Sequence, residues 1–244
     1  MDAEQLTEKL VLWVRDKVVT ARCQGVVLGI SGGIDSSVVA VVCQRAFPQN
    51  TLGVIMPCHS QPEDEEHARA VASKFSIATA TVVLDSTFDT LLQVLPKNQS
   101  EPAVTRVAEA NLKARLRMLT LYYFANRLNY TVAGSGNRSE LSVGYFTKYG
   151  DGGVDILPLG NLVKGEVKEI ARSLGIPQAI IDKPPSAGLW QGQTDENEMG
   201  VSYEELDRYL TTGEAPAELK QKIESMMAIS EHKRQPPPLP NFPA

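Results

Sequence analysis

Apolar positions recur at helical spacing from the start of the chain, where Leu6, Leu10, Val14 and Val18 mark one face of an amphipathic helix over residues 4–20. The period then changes. Residues 26–30 are a continuous apolar run, too short for a helix, and read as a buried strand. A helix follows over 38–46, and the alternation repeats with a strand over 51–56, a helix opened by Pro62 and faced by Ala68, Val71, Ala72 and Phe75, and a strand over 79–84. After a polar break at 98–102, residues 103–126 carry Leu112, Leu116, Leu119 and Tyr123 on one stripe and Met118, Leu121 and Tyr122 on another. A helix apolar on two faces is buried on both, inside a domain or against a second subunit. Arg115 and Arg117 interrupt it, and Arg117 reads as a solvated arginine paired with nearby acids. Residues 130–134 read as a further strand, and a helix over 164–174 stops at Gly175-Ile176-Pro177. Two amphipathic helices over 203–210 and 217–229 precede a proline-rich tail at 235–244. Strands alternating with helices predict a single α/β domain over 1–244, with an open, mainly parallel, five-stranded sheet covered by helices on both faces.

Composition narrows the classes of partner. With 244 residues, 43% of them hydrophobic, the chain can bury a sizeable core. A formal charge of −5 argues against a nucleic-acid surface while allowing local basic pockets. No apolar run approaches the ~20 residues that span a bilayer, and the acidic start Met1-Asp2-Ala3-Glu4 is unlike a signal peptide. A cytoplasmic protein with neither membrane nor nucleic-acid partners is expected. Cys23, Cys43 and Cys58 are odd in number and widely spaced, which suits reduced thiols.

The chemistry gathers at strand ends. Between the strand at 26–30 and the next helix lies Ser31-Gly32-Gly33-Ile34-Asp35-Ser36. Its backbone N–H groups collect at a helix N-terminus, where unpaired donors and the dipole favour an anion. Gly32 and Gly33 permit close backbone approach, and Asp35 adds a carboxylate that a phosphate tolerates only across a divalent cation. A plain helix cap at Asp35 or Ser36 explains the acid and the serines but not the paired glycines. No Gly-Lys-Ser/Thr ending follows, so this is not a Walker loop. A second strand-to-helix turn, Ser135-Gly136-Asn137-Arg138-Ser139-Glu140, brings a hydroxyl and a carboxylate to the same sheet edge. The aromatic, glycine-rich run at 144–155 suits a flat, charged ligand, and the irregular stretch at 183–196 suits a lid. The acids Glu63-Asp64-Glu65-Glu66 after Pro62 are ordinary helix-start chemistry.

The hexapeptide at 31–36 resembles the pyrophosphate loop of the N-type ATP pyrophosphatases. With Phe146-Thr147-Lys148-Tyr149-Gly150-Asp151-Gly152-Gly153, Thr194-Asp195-Glu196 and Glu231-His232-Lys233-Arg234, the chain resembles the NAD synthetases over nearly its whole length. The resemblance implies a Rossmann-like fold of the adenine nucleotide alpha hydrolase kind, and ATP-dependent amidation of deamido-NAD through an adenylate. It implies that Gly29, Ile30, Ser31, Gly32, Gly33, Ile34, Asp35 and Ser36 hold ATP phosphates, that Asp35 and Glu140 ligate Mg2+, and that Ser135, Lys164 and Ser186 contact ATP, with Asp35, Glu140 and Lys164 serving catalysis. Arg115, Lys148, Asp155, His232 and Lys233 would contact deamido-NAD. Where the family often has threonine, Ser135 and Ser186 keep the hydroxyl. A homodimer is implied too. With 25 residues before the first strand, no glutaminase domain is expected in this chain, and ammonia is the expected nitrogen donor. The competing reading is another adenylating enzyme of this loop class, such as a tRNA-modifying or sulfur-transfer enzyme, for which Cys58 at a strand end would be the suspect residue.

Overall fold

The computed structural model describes residues 2–96, 101–186, 188, 190, 192–240 and 242. In chain order the elements are α1 (Ala3–Thr20), β1 (Gly25–Gly29), α2 (Ile34–Ala46), β2 (Thr51–Ile55), α3 (Pro62–Lys74), β3 (Ala78–Thr81), α4 (Asp85–Val94), α5 (Pro102–Leu128) and β4 (Tyr130–Ala133). They continue as α6 (Arg138–Val143), α7 (Lys164–Leu174), α8 (Gln178–Ile181), α9 (Asp195–Met199), α10 (Tyr203–Thr212), α11 (Ala217–Ile229) and α12 (Glu231–Arg234). Positions 98–100 of the expected polar break, 187, 189 and 191 of the expected lid, and 241, 243 and 244 of the tail lie outside the described residues.

The strands pair in parallel in the order β3-β2-β1-β4, with Val26 opposite both Thr51 and Thr131. Side chains alternate across β1, as strand geometry requires. Val26, Leu28 and Ile30 join one core with α1, α2, α3 and α7, whereas Val27 joins Val54, Met56, Val132, Phe88, Leu116 and Leu121 under α4 and α5. Helices therefore cover both faces, as expected. A third cluster of Val143, Met199, Val201, Tyr203, Leu206 and Ile223 packs α9, α10 and α11 against α6. No helix of the described residues is long and apolar enough to cross a membrane.

Three expectations are corrected. The sheet has four strands rather than five, because beyond β4 the pairing shrinks to one parallel bridge between Ala133 and Ile156. The Asp155 carboxylate takes the Val132 N–H at 2.8 Å, so a side chain occupies a place where a further strand would offer its carbonyl. Pro158, lacking an N–H, follows two residues after the bridge. The stretch read as strand up to residue 84 is regular strand only to Thr81, although Leu84 N–H still donates to the Pro57 carbonyl at 2.8 Å, and α4 begins at Asp85. Lastly, the α5 stripe drawn from Leu112 to Tyr123 is divided: Leu116 is buried, while Leu119 and Tyr123 are 59% and 56% exposed.

Candidate active site

The strand order creates a switch point. From β1 the chain steps outward to β2 and β3, then returns to the other side of β1 for β4, so the connections leaving β1 and β4 diverge and open a crevice at their carboxyl ends. Residues 30–33 leave β1 there, and residues 134–137 leave β4.

The first turn is braced by its own hydroxyls. Ser31 N–H donates to Ser36 Oγ at 3.2 Å, and Gly33 N–H donates to Ser31 Oγ at 3.3 Å. The Ser36 and Ser37 hydroxyls both donate to the Gly33 carbonyl, at 3.0 and 2.8 Å. Gly33 is the N-cap and carries no side-chain cap. Neither Asp35 nor Ser36 caps α2; both lie in its first turn, where N–H groups have no intrahelical partner. Gly32 has φ +80°, and a Cβ there would lie 2.2 Å from the Asp64 carbonyl oxygen, so α3 closes the loop from behind.

Asp35 and Glu140 converge on Lys164. Its Nζ donates to Asp35 Oδ2 at 2.5 Å and to Glu140 Oε1 at 3.3 Å, and lies 4.8 Å from the centre of the Tyr203 ring. Asn137 completes the junction. Its Nδ2 donates to Asp35 Oδ1 at 2.9 Å, its Oδ1 accepts the Glu140 N–H at 3.0 Å, and its own N–H donates to Glu140 Oε2 at 3.2 Å. This is a capping box that fixes the start of α6 and aims the carboxylate. The Lys164 backbone is fixed as well: its N–H donates to Ser139 Oγ at 3.1 Å, and Asp207 of α10 accepts from that hydroxyl at 2.5 Å and from Gly165 N–H at 2.7 Å.

Asp195 adds a third carboxylate. Tyr203 Oη donates to Asp195 Oδ2 at 2.9 Å and approaches Glu140 Oε1 at 3.2 Å, and Tyr145 Oη donates to Asp195 Oδ1 at 3.1 Å. Burial pushes the Glu140 carboxyl up to about 7, against the pull of Lys164 and with the repulsion of Asp35 added. Burial likewise raises Asp195. Burial disfavours the Lys164 cation, but the neighbouring Asp35 and Glu140 carboxylates outweigh it and hold its pKa above the ordinary lysine value. Tyr203 is raised by burial and then by the surrounding carboxylates, so its phenol remains a proton donor.

These groups line a cavity of about 1050 Å3, at the upper end of the ~300–1,000 Å3 common for small-molecule sites. Every phosphate-loop residue except Gly32 borders it, as do Ser135, Glu140, Lys164, Ser186 and Lys233. From the expected lid, Lys183, Ser186, Trp190 and Asp195 also border it. Lys183 Nζ donates to Asp64 Oδ1 at 2.7 Å, and Trp190 lies under the Arg106 guanidinium at 5.0 Å. Arg115, Lys148, Asp155 and His232 are not on the cavity wall. They lie outside it: Arg115 donates to the Lys148 carbonyl at 3.3 Å, Lys148 Nζ to the His232 carbonyl at 2.5 Å, and Tyr122 Oη to Asp155 Oδ1 at 2.8 Å. Lys233 Nζ donates to the carbonyls of Gly144 and Phe146 at 2.7 and 2.9 Å, pinning the aromatic run. Arg117 departs from its expected solvated pairing, since it is half-buried and donates to the Met56 carbonyl and Ser60 Oγ.

Two carboxylates beside an anion nest are a donor set that suits a hard cation, since magnesium takes one or two carboxylates and fills its octahedron with phosphate oxygens and water. Sheet, nest and lysine-bridged acids define a class: an ATP-using enzyme of the parallel α/β kind. A family model described as NAD synthase matches residues 6–237. The chain belongs to the NAD synthase family and is a ligase that forms a C–N bond. The NH(3)-dependent NAD(+) synthetase of Carboxydothermus hydrogenoformans is 54% identical over 237 residues, covering 97% of this chain and 97% of that protein. Among solved structures, NMN synthetase from Francisella tularensis superposes with a TM-score of 0.92 at 38% identity, covering 99% of this chain and 100% of that one. The NH3-dependent NAD synthetase of Campylobacter jejuni superposes with a TM-score of 0.81 at 30% identity, over 99% of this chain and 100% of that one.

Proposed function

We propose that this chain amidates deamido-NAD to NAD with ATP and ammonia, releasing AMP and pyrophosphate. The observation that carries the reading is the convergence of Asp35 and Glu140 on the Lys164 ammonium beside the glycine loop. A carboxylate is a poor acyl electrophile, because its charge repels nucleophiles and oxide does not leave. A nicotinate oxygen therefore attacks the ATP α-phosphorus, and the bond to pyrophosphate breaks. Ammonia then attacks the acyl carbon, AMP leaves with the electron pair, and a proton passes to solvent. In this scheme the nest at 31–36 holds the departing pyrophosphate, and Lys164 faces the charge that gathers on it, while Ser135 and Ser186 offer hydroxyls to ATP. This is catalysis by positioning and electrostatics. Bound Mg2+ on Asp35 and Glu140 would neutralise phosphate charge.

The acceptor half is proposed to lie partly on the outside of α5, with Arg115, Lys148, Asp155 and His232, and Lys233 from the inner wall. Arg115, Leu119 and Tyr122 follow at helical spacing, and the adjacent Leu119 and Tyr123 are exposed apolar groups. A second copy covering this face would bury them, so we infer a homodimer. The protein is proposed to work in the cytoplasm as one domain, with ammonia as donor.

One observation favours a second reading: the higher TM-score with the NMN synthetase makes the mononucleotide, nicotinate mononucleotide, a rival acceptor. A sulfur-transfer role at Cys58 is disfavoured, since the residue is fully buried and burial raises its thiol above the ordinary value, holding it protonated. The test is incubation with ATP, ammonium and either deamido-NAD or nicotinate mononucleotide. NAD, AMP and pyrophosphate from the first supports the reading; a preference for the second moves the chain to NMN synthesis, and ADP with phosphate would sink the mechanism.

A further inference from the structure

Arg117 is a half-buried cation with no carboxylate beside it among the described residues. It lies on α5 in one row with Ala110, Ala114 and Leu121, all of which are buried. Its Nε donates to the Met56 carbonyl at 3.1 Å and an Nη donates to Ser60 Oγ at 3.2 Å. Among the described residues no carboxylate oxygen lies within 4.0 Å of it. Burial lowers its pKa, while Cys58, Asp64 and Asp151 raise it, and a guanidinium stays charged in proteins.

A guanidinium has five N–H donors, and two are engaged here, both by neutral oxygens. Those two anchors fix the plane of the group, and the residue lines the large cavity. Desolvating a cation without a counter-charge is costly, and a planar fork held against a cavity is suited to a bidentate oxyanion arriving from outside. The surroundings place that oxyanion. Met56 and Ser60 belong to the exit of β2, the strand beside β1 and its phosphate loop. Asp151 belongs to the aromatic, glycine-rich run, so Arg117 stands between the two halves of the site.

We propose that Arg117 is a substrate-binding residue that takes an oxyanion of the reacting pair, either a phosphate of ATP or the carboxylate of the pyridine nucleotide. The inference rests on the reaction proposed above and adds a residue to it.

The test uses the full chain with Arg117→Met and Arg117→Lys. Calorimetric titration with a non-hydrolysable ATP analogue, and separately with deamido-NAD, reads binding without turnover. Arg117→Met is expected to weaken one of the two by about 10–100-fold, the effect of losing charge-assisted hydrogen bonds, with Arg117→Lys intermediate. Weakening on the ATP arm assigns the phosphate; weakening on the other arm, with NAD itself bound equally by parent and variant, assigns the carboxylate. A folded Arg117→Met protein that binds both ligands within about twofold of the parent overturns the proposal and leaves Arg117 as a tether for the β2 exit. Should Arg117→Met fail to fold, phenylglyoxal labelling of Arg117 in the parent decides: protection by one ligand supports the proposal, and equal labelling with and without both overturns it. A parent that binds ATP but forms no NAD refutes the reaction while leaving Arg117 readable.

Discussion

Glu140→Gln separates what the site costs the fold from what it does. An ordinary glutamate titrates near 4.5, and burial lifts this one to about 7 in a cluster it shares with Asp35 and Lys164. Below pH 4.5 the carboxyl is protonated in both folded and unfolded chains, and its contribution to stability is fully present. Between 4.5 and about 7 the unfolded chain has released a proton that the folded chain keeps, so stability falls as pH rises. Above that interval the loss levels off, on the order of 3 kcal/mol. Glutamine does not ionise and escapes this loss. It surrenders the contact to Lys164 at 3.3 Å and turns an amide N–H2 toward either that ammonium or the Asn137 N–H, which costs about 1–2 kcal/mol. In metal-free, nucleotide-free buffer the variant should be no more stable than the parent at pH 5, yet about 1–2 kcal/mol more stable at pH 8. Thermal unfolding followed by circular dichroism should show this as a rise of roughly 2–8 °C at pH 8. NAD formation should fall by about a hundredfold or more. A stability difference that stays constant between pH 5 and 8 would refute the reasoning, because it would mean that Glu140 titrates normally in the fold.

Tyr203→Phe keeps the ring over Lys164 but leaves Asp195 and Glu140 without their shared donor; we expect a loss of about 1–3 kcal/mol in urea unfolding and a clear drop in turnover, and unchanged values for both would argue against the network. Gly32→Ala would put a Cβ 2.2 Å from the Asp64 carbonyl in a backbone with φ +80°, so ATP-analogue binding by calorimetry should be lost; an unaltered dissociation constant would show that α3 yields freely. Leu119→Glu places a charge at a 59% exposed leucine on the outer face of α5, and sedimentation should show a dimeric parent and a monomeric variant. A parent that sediments as a monomer removes the dimer.

Local chemistry was legible in the sequence wherever neighbours along the chain define it. The β1-loop-α2 unit could be read because a short apolar run, a glycine pair and a second apolar run carry their meaning within one stretch. The Asn137-to-Glu140 spacing was a readable capping box, and it was overlooked although Glu140 itself was not. α4 was missed despite Phe88, Leu91 and Leu92 falling at helical spacing, since ten residues provide few turns to count. What the sequence withheld were convergences. Lys164 meets Asp35 across 129 positions, and Tyr203 meets Glu140 across 63, so resemblance could name Lys164 while periodicity could not, and Tyr203 was not named as a site residue. Arg117 was misread because a helix position takes its character from what the helix covers. The buried row of Ala110, Ala114 and Leu121 was the available sign that it faces inward.

The glycine loop carries no lysine of its own; the ammonium arrives on α7 from the far side of the crevice. Its aim therefore depends on contacts remote from the phosphates. Asp207 grips Ser139 and Gly165, and Asp207 itself is held by α10, whose Leu206 is buried in the third core with Ile223 and Val143. One ammonium serves Asp35, Glu140 and Asp195, so the cluster keeps more negative than positive charge. Burial, with repulsion from that excess added, raises Glu140 and Asp195, and a divalent cation arriving with ATP would relieve the repulsion. Anion binding by the loop and cation binding by the acids are then complementary demands of one site: the nest attracts the phosphates, the acids attract the cation, and each makes the other's binding more favourable.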